Sequence, residues 1–125
     1  MYRVSVRRDL IAQHYLTVPN PGPEGELHSH AFTVEVELSG PELDEYGYLV
    51  DIDDVKAALD ATLSRYRDET MNELVEFAGQ NPSVERFARE VCEQFVEASS
   101  LDAPEHVSVR VWEDDVASAT YETSL

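Results

Sequence analysis

The sequence predicts an α+β fold: a four-stranded antiparallel sheet with two helices on one face, in the order ββααββ. Three observations predict it. Apolar residues alternate with polar ones at both ends of the chain, they recur with helical spacing in the middle, and 125 residues suit a single domain, 1–125. Hairpins at both ends with two helices between them imply a sheet that buries one face under those helices.

Tyr2, Val4 and Val6 alternate with polar neighbours, and the pattern resumes from Ile11 to Leu16, with His14 in the second part. Val18 to Glu26 holds Pro19, Pro21, Pro23, Gly22 and Gly25, which excludes a helix or a central strand and makes this a loop. Phe32, Val34, Val36 and Leu38 then give the clearest strand, stopped by Gly40-Pro41. Because side chains repeat every second residue, His28 and His30 extend the same face.

Ile52, Val55, Leu59, Leu63 and Tyr66 form a helical stripe with Asp51 or Asp53 as its cap. Asn81-Pro82-Ser83 supplies a cap and an early proline for a second helix, with Val84, Phe87, Ala88, Val91, Cys92 and Phe95 on one stripe. That placement makes Cys92 a packing residue, not a nucleophile. Val107, Val109 and Val111 alternate in a third strand, Asp114-Asp115 turns the chain, and Ala117 to Thr123 returns as the fourth. No internal repeat or low-complexity tract interrupts this order.

Composition limits the partners. The chain has 26 acidic and 9 basic residues, a formal net charge of -17, and its only lysine is Lys56. Nucleic acid and anionic membranes are poor partners for such a surface, because phosphate contacts need clustered Lys or Arg. The acids are spread along the chain, as in proteins kept hydrated in high salt, a halophilic pattern. A lone cysteine permits no internal disulfide, and the charged start Arg3, Arg7, Arg8 is unlike a signal peptide; a soluble cytoplasmic protein is expected.

Three of the four histidines fall within the first 30 residues: His14, His28 and His30. A His-x-His pair on a strand points both rings one way, and an antiparallel neighbour can deliver a third across the ladder. Three neutral imidazoles suit Zn2+ with a fourth position left open. The spacing alone fits a pair of ordinary strand-edge histidines equally well. His106 stands apart and reads as a plain strand residue.

The order of landmarks resembles the 6-pyruvoyltetrahydropterin synthase and 6-carboxytetrahydropterin synthase family over nearly the whole chain. The matching segments are His14, then His28-Ser29-His30, then Gly47-Tyr48-Leu49-Val50-Asp51-Ile52, Met71-Asn72, Pro82-Ser83-Val84-Glu85, and Val109-Arg110-Val111-Trp112-Glu113. The resemblance implies a tunnelling fold whose subunits join sheets into an oligomeric barrel, a hexamer or similar, with pterin pockets between them. It also implies zinc on His14, His28 and His30, Glu113 as the anchor of the pterin ring, and Ser83 and Glu85 at the pocket.

The family's proton-transfer machinery is altered here. Glu24 stands where the resemblance places a catalytic cysteine, four residues before His28, and Arg67 and Asp68 occupy the places of an Asp-His pair. Carboxylates could take the cysteine's role, so Glu24, Glu26 and Asp68 are the candidate catalytic residues. A solvated acidic loop explains Glu24 and Glu26 equally well, and Asp68 fits a structural role better than a catalytic one. The activity implied is that of a zinc-dependent pterin lyase acting on 7,8-dihydroneopterin triphosphate. Side-chain cleavage to 6-hydroxymethyldihydropterin for folate synthesis, a non-catalytic zinc- and pterin-binding homologue, and a purely structural zinc protein are the alternatives.

Overall fold

The computed structural model describes residues 1–125. Two long strands, β1 (Tyr2–His14) and β2 (His28–Gly40), pair antiparallel along their whole length, from Tyr2 opposite Gly40 to His14 opposite His28. Helices α1 (Ile52–Ser64) and α2 (Val84–Ala98) follow, and β3 (His106–Trp112) and β4 (Ser118–Ser124) complete a sheet of order β1-β2-β3-β4. This is the four-stranded antiparallel sheet with two helices that the sequence predicts. No helix is long and apolar enough to cross a membrane.

Alternation decides which face is buried. Leu10 and Ala12 of β1, Phe32, Val34, Val36 and Leu38 of β2, and Val107, Val109 and Val111 of β3 all point toward the helices and are buried. Opposite them lie Val55, Leu59 and Leu63 of α1, and Phe87, Ala88, Val91, Cys92 and Phe95 of α2. Cys92 is fully buried in this core, and burial pushes its thiol up to about 11, so it stays protonated and inert.

The elements differ from the sequence reading in several places. β1 runs unbroken through Arg7-Arg8-Asp9, where the apolar alternation lapses. Arg8 lies on the helix-facing side, and its Nε donates to the Asp60 carboxylate of α1 at 2.8 Å, so a charged residue fits a half-buried position. Tyr66 lies beyond the end of α1 rather than within it, yet it is fully buried. Its hydroxyl donates to Glu76 at 2.7 Å, and Arg65 grips the same carboxylate through Nε and Nη2, both at 2.6 Å.

Caps agree with the sequence. The Asp51 side chain accepts from the Asp53 N–H at 2.9 Å, and Ser83 Oγ accepts from the Arg86 N–H at 3.2 Å. Pro82 sits just before the Ser83 cap, not inside the first turn of α2. The proline-rich loop contains one 3-10 turn, Gly22–Gly25. His106 opens β3 at the end of the sheet away from the other histidines, opposite Ser39.

The other face of the sheet is open and polar. There Trp112 lies between two guanidinium groups, with Arg7 Cζ 4.9 Å and Arg110 Cζ 4.6 Å from its ring centre. The free edge of β1 is partly covered by the segment after α1. Asp68 N–H donates to Ile11 O at 2.7 Å, and Gln13 N–H donates to Glu69 O at 2.9 Å.

Candidate functional site

His14 ends β1 and His28 begins β2 directly opposite it, while His30 follows two residues on along the same face. The register therefore brings the three rings together. One nitrogen from each ring falls within 4.8 Å of the others, which makes His14, His28 and His30 a candidate metal cluster. His14 is 2% exposed, and its ring meets those of His28 and His30 edge-on.

Backbone carbonyls orient two of these rings. His14 Nδ1 lies 2.9 Å from Pro82 O, and His28 Nδ1 lies 2.8 Å from Glu26 O. A carbonyl can only accept, so Nδ1 carries the proton in both rings and the lone pair remains on Nε2. The Nε2 atoms of His14, His28 and His30 are buried and have no hydrogen-bond partner. Three buried ring nitrogens without partners are costly, and a cation satisfies all three. Burial, the strongest influence on His14, holds it below the usual histidine value and favours the neutral form that ligates a metal. The donor set, three imidazole nitrogens of which two belong to rings with fixed tautomers, suits Zn2+.

Carboxylates flank the cluster unequally. Glu113, just past the end of β3, puts Oε1 at 3.0 Å from His30 Nε2, a close approach that is not a hydrogen bond. Glu24 is exposed on the loop, and its backbone carbonyl accepts the Leu16 N–H at 2.8 Å. Glu26 contributes its carbonyl to His28, while its side chain is exposed. Ser83 is occupied as the cap of α2, and Glu85 is exposed on the first turn of that helix, which starts beside the Pro82 carbonyl that holds His14. Asp68 is exposed in a turn with φ of 61° and pins Ile11 through its backbone. That position lies upstream of His14 along the β1 edge.

Sequence reasoning passed over the groups that orient the rings. Carbonyl oxygens of Pro82 and Glu26 leave no trace in residue type, so no motif announces them. Asn72 and Asn81 do leave one, since Asn72 sits in a matched segment and Asn81 precedes the α2 cap. Their side chains bind the peptide groups of Tyr15 and Thr17.

The chain's similarity to known proteins follows the same lines. Among solved structures it resembles a Plasmodium vivax 6-pyruvoyltetrahydropterin synthase in a catalytic-residue mutant form, glutamate to alanine, at 14% identity and TM-score 0.83, covering 99% of this chain and 98% of that one. The Caenorhabditis elegans 6-pyruvoyl tetrahydropterin synthase is similar at 21% identity and TM-score 0.80, over 99% of this chain and 98% of the other. A Plasmodium falciparum counterpart gives 14% identity and TM-score 0.82 over the same shares. At these identities the likeness is one of fold. No curated protein matches the sequence. The family description that does match, 6-pyruvoyl tetrahydropterin synthase, spans residues 3–124, and the chain therefore belongs to the 6-pyruvoyl tetrahydropterin synthase family.

Proposed function

We propose that this chain is a zinc-dependent pterin lyase of the 6-pyruvoyl or 6-carboxytetrahydropterin synthase type, acting in the cytoplasm on 7,8-dihydroneopterin triphosphate as a homo-oligomer. The observation that carries this reading is the convergence of three buried, unpartnered Nε2 atoms beside the Glu113 carboxylate. His14, His28 and His30 would hold the cation, whose chemistry is to acidify hydroxyls on the substrate's side chain. Glu24 is the candidate base by its place four residues before His28, on a loop tied to Leu16 just past His14. Its proton comes from the side-chain carbon, and triphosphate is the leaving group. Glu26, whose carbonyl holds the His28 ring, is the alternative base, and Asp68 is the weaker candidate.

For Glu113, the anchor of the pterin ring by resemblance, a second role is proposed. Its carboxylate lies 3.0 Å from His30 Nε2, one of the nitrogens that would hold the cation. The amino edge of a pterin is two fused rings away from its side chain. A carboxylate beside the cluster favours contact with the reacting side chain over the far edge of the ring. We assign Glu113 to proton exchange with the side chain, and the ring edge to Glu85 and the start of α2.

A second reading is cleavage to 6-hydroxymethyldihydropterin. It is favoured by a glutamate standing in place of cysteine, and in the Plasmodium vivax relative a glutamate is likewise the catalytic residue altered. Zinc-loaded protein incubated at high salt with dihydroneopterin triphosphate, with products identified by mass spectrometry, decides between the two. Turnover that Glu24→Gln abolishes supports a lyase with this base. Pterin binding without any product would overturn both in favour of a non-catalytic binding homologue.

A further inference from the structure

Pairing of β1 with β2 stops at His14 opposite His28, so Tyr15, Leu16 and Thr17 continue without a partner strand. Three separate elements hold them instead. Asn72 Oδ1 accepts the Tyr15 N–H at 3.0 Å, and Asn72 Nδ2 donates to Tyr15 O at 2.9 Å. Leu16 N–H donates to Glu24 O at 2.8 Å, and Thr17 N–H donates to Asn81 Oδ1 at 2.9 Å. A primary amide that both accepts from and donates to one residue's peptide groups imitates a neighbouring strand. Asn72 thus continues the sheet edge by one residue, immediately after the first histidine of the cluster.

Asn81 works from the other side. Its side chain holds Thr17, and the next residue is Pro82, whose carbonyl fixes the His14 ring. The segment that orients His14 is thereby tied to the strap that follows His14. This matters because a zinc–nitrogen bond tolerates only about 0.2 Å of error, and a ring as buried as His14 has no room to compensate by rotating.

We propose that Asn72 and Asn81 are positioning residues of the metal centre: they clamp the Tyr15–Thr17 strap and so hold His14 in ligating geometry with the Glu24 loop attached. The proposal rests on the metal reading of the three histidines, and its test separates the two. Zinc affinity is measured by competition with a chromophoric chelator, and site geometry by the visible absorption of the Co2+-substituted protein. The variants are Asn72→Ala, Asn72→Asp, Asn81→Ala and Thr70→Ala. Thr70 Oγ1 donates to Gln13 Oε1 at 3.3 Å, so its loss loosens the same covering segment without touching the strap.

Asn72→Ala and Asn81→Ala should each weaken zinc binding about 10-fold or more and alter the cobalt spectrum, as loss of an outer-shell partner does. Asn72→Asp, which keeps the acceptor and loses the donor, should fall between, and Thr70→Ala should bind zinc as the native chain does. If Asn72→Ala does not fold, Asn72→Asp and Asn81→Ala decide. Native affinity and spectrum in the asparagine variants would overturn the proposal, as would an equal loss in Thr70→Ala. A native chain that takes up neither Zn2+ nor Co2+ would overturn the metal reading, and this proposal with it.

Discussion

The Glu113 carboxylate approaches His30 at 3.0 Å from the nitrogen that faces His14 and His28, so an acid is built into the edge of the imidazole cluster. The two residues come from different strands. His30 is near the start of β2, and Glu113 directly follows β3, whose last residue Trp112 pairs with Thr33.

Glu113→Gln should therefore preserve zinc binding and the affinity for a pterin ring while lowering kcat about 100-fold, the usual scale for losing a proton-transfer group. Glu85→Ala should do the reverse, raising the pterin Kd with zinc unaffected. Isothermal titration with a non-reactive pterin, alongside turnover, separates these effects. Loss of ring affinity in Glu113→Gln with kcat unchanged would restore the anchor role to Glu113.

A second prediction concerns acid stability. Glu76 accepts from Arg65, Tyr66 and Gln94, and the Arg65 guanidinium above all holds its carboxyl at about 2, below the ordinary 4.5. A carboxylate with a lowered folded value stabilises fully above the unfolded value and loses that contribution as pH falls from 4.5 through 2. Discounted for the water around Arg65, the contribution is about 2 kcal/mol at neutral pH. Glu76→Gln should lose about that much in urea unfolding at pH 7, and the gap to the native chain should close near pH 2. A gap independent of pH would show that packing, not charge, explains the cluster.

Salt should stabilise this protein. Arg3, Arg7, Arg8, Arg65 and Arg89 each pair with one carboxylate, which leaves most of the 26 acids without a partner and a net charge of -17 unscreened. At 1 M salt the screening length is about 3 Å, so the mutual repulsion collapses while the buried core is untouched. Thermal unfolding should rise by about 5 °C or more between 0.1 and 2 M KCl. A flat or falling Tm would argue that the acids are already accommodated at low salt.

Most of the fold was legible because each element carries its own period. Phe32 to Leu38 and Val107 to Val111 alternate so regularly that their burial follows from spacing alone, and the α2 stripe from Val84 to Phe95 is equally plain. The course of β1 through Arg7-Arg8-Asp9 was not legible, because it depends on Asp60 of a helix distant in sequence. At the site, the His-x-His spacing fixes two rings on one face, whereas the third depends on the register of β1 with β2. The resemblance placed Glu113 by motif order, whereas its 3.0 Å approach to His30 follows only from the packing of β3 beside β2. Orientation of His14 and His28 was illegible for a simpler reason: peptide carbonyls do it, and every residue has one.

Trp112 is the only tryptophan in the chain, and it stands between Arg7 and Arg110, one residue before Glu113. The protein's ultraviolet emission consequently reports from a single, known address on the bare side of the sheet. Docking of another subunit there, or a shift of the strand end during ligand capture, would change the quenching by the flanking cations. Assembly and occupancy can thus be followed on unlabelled material.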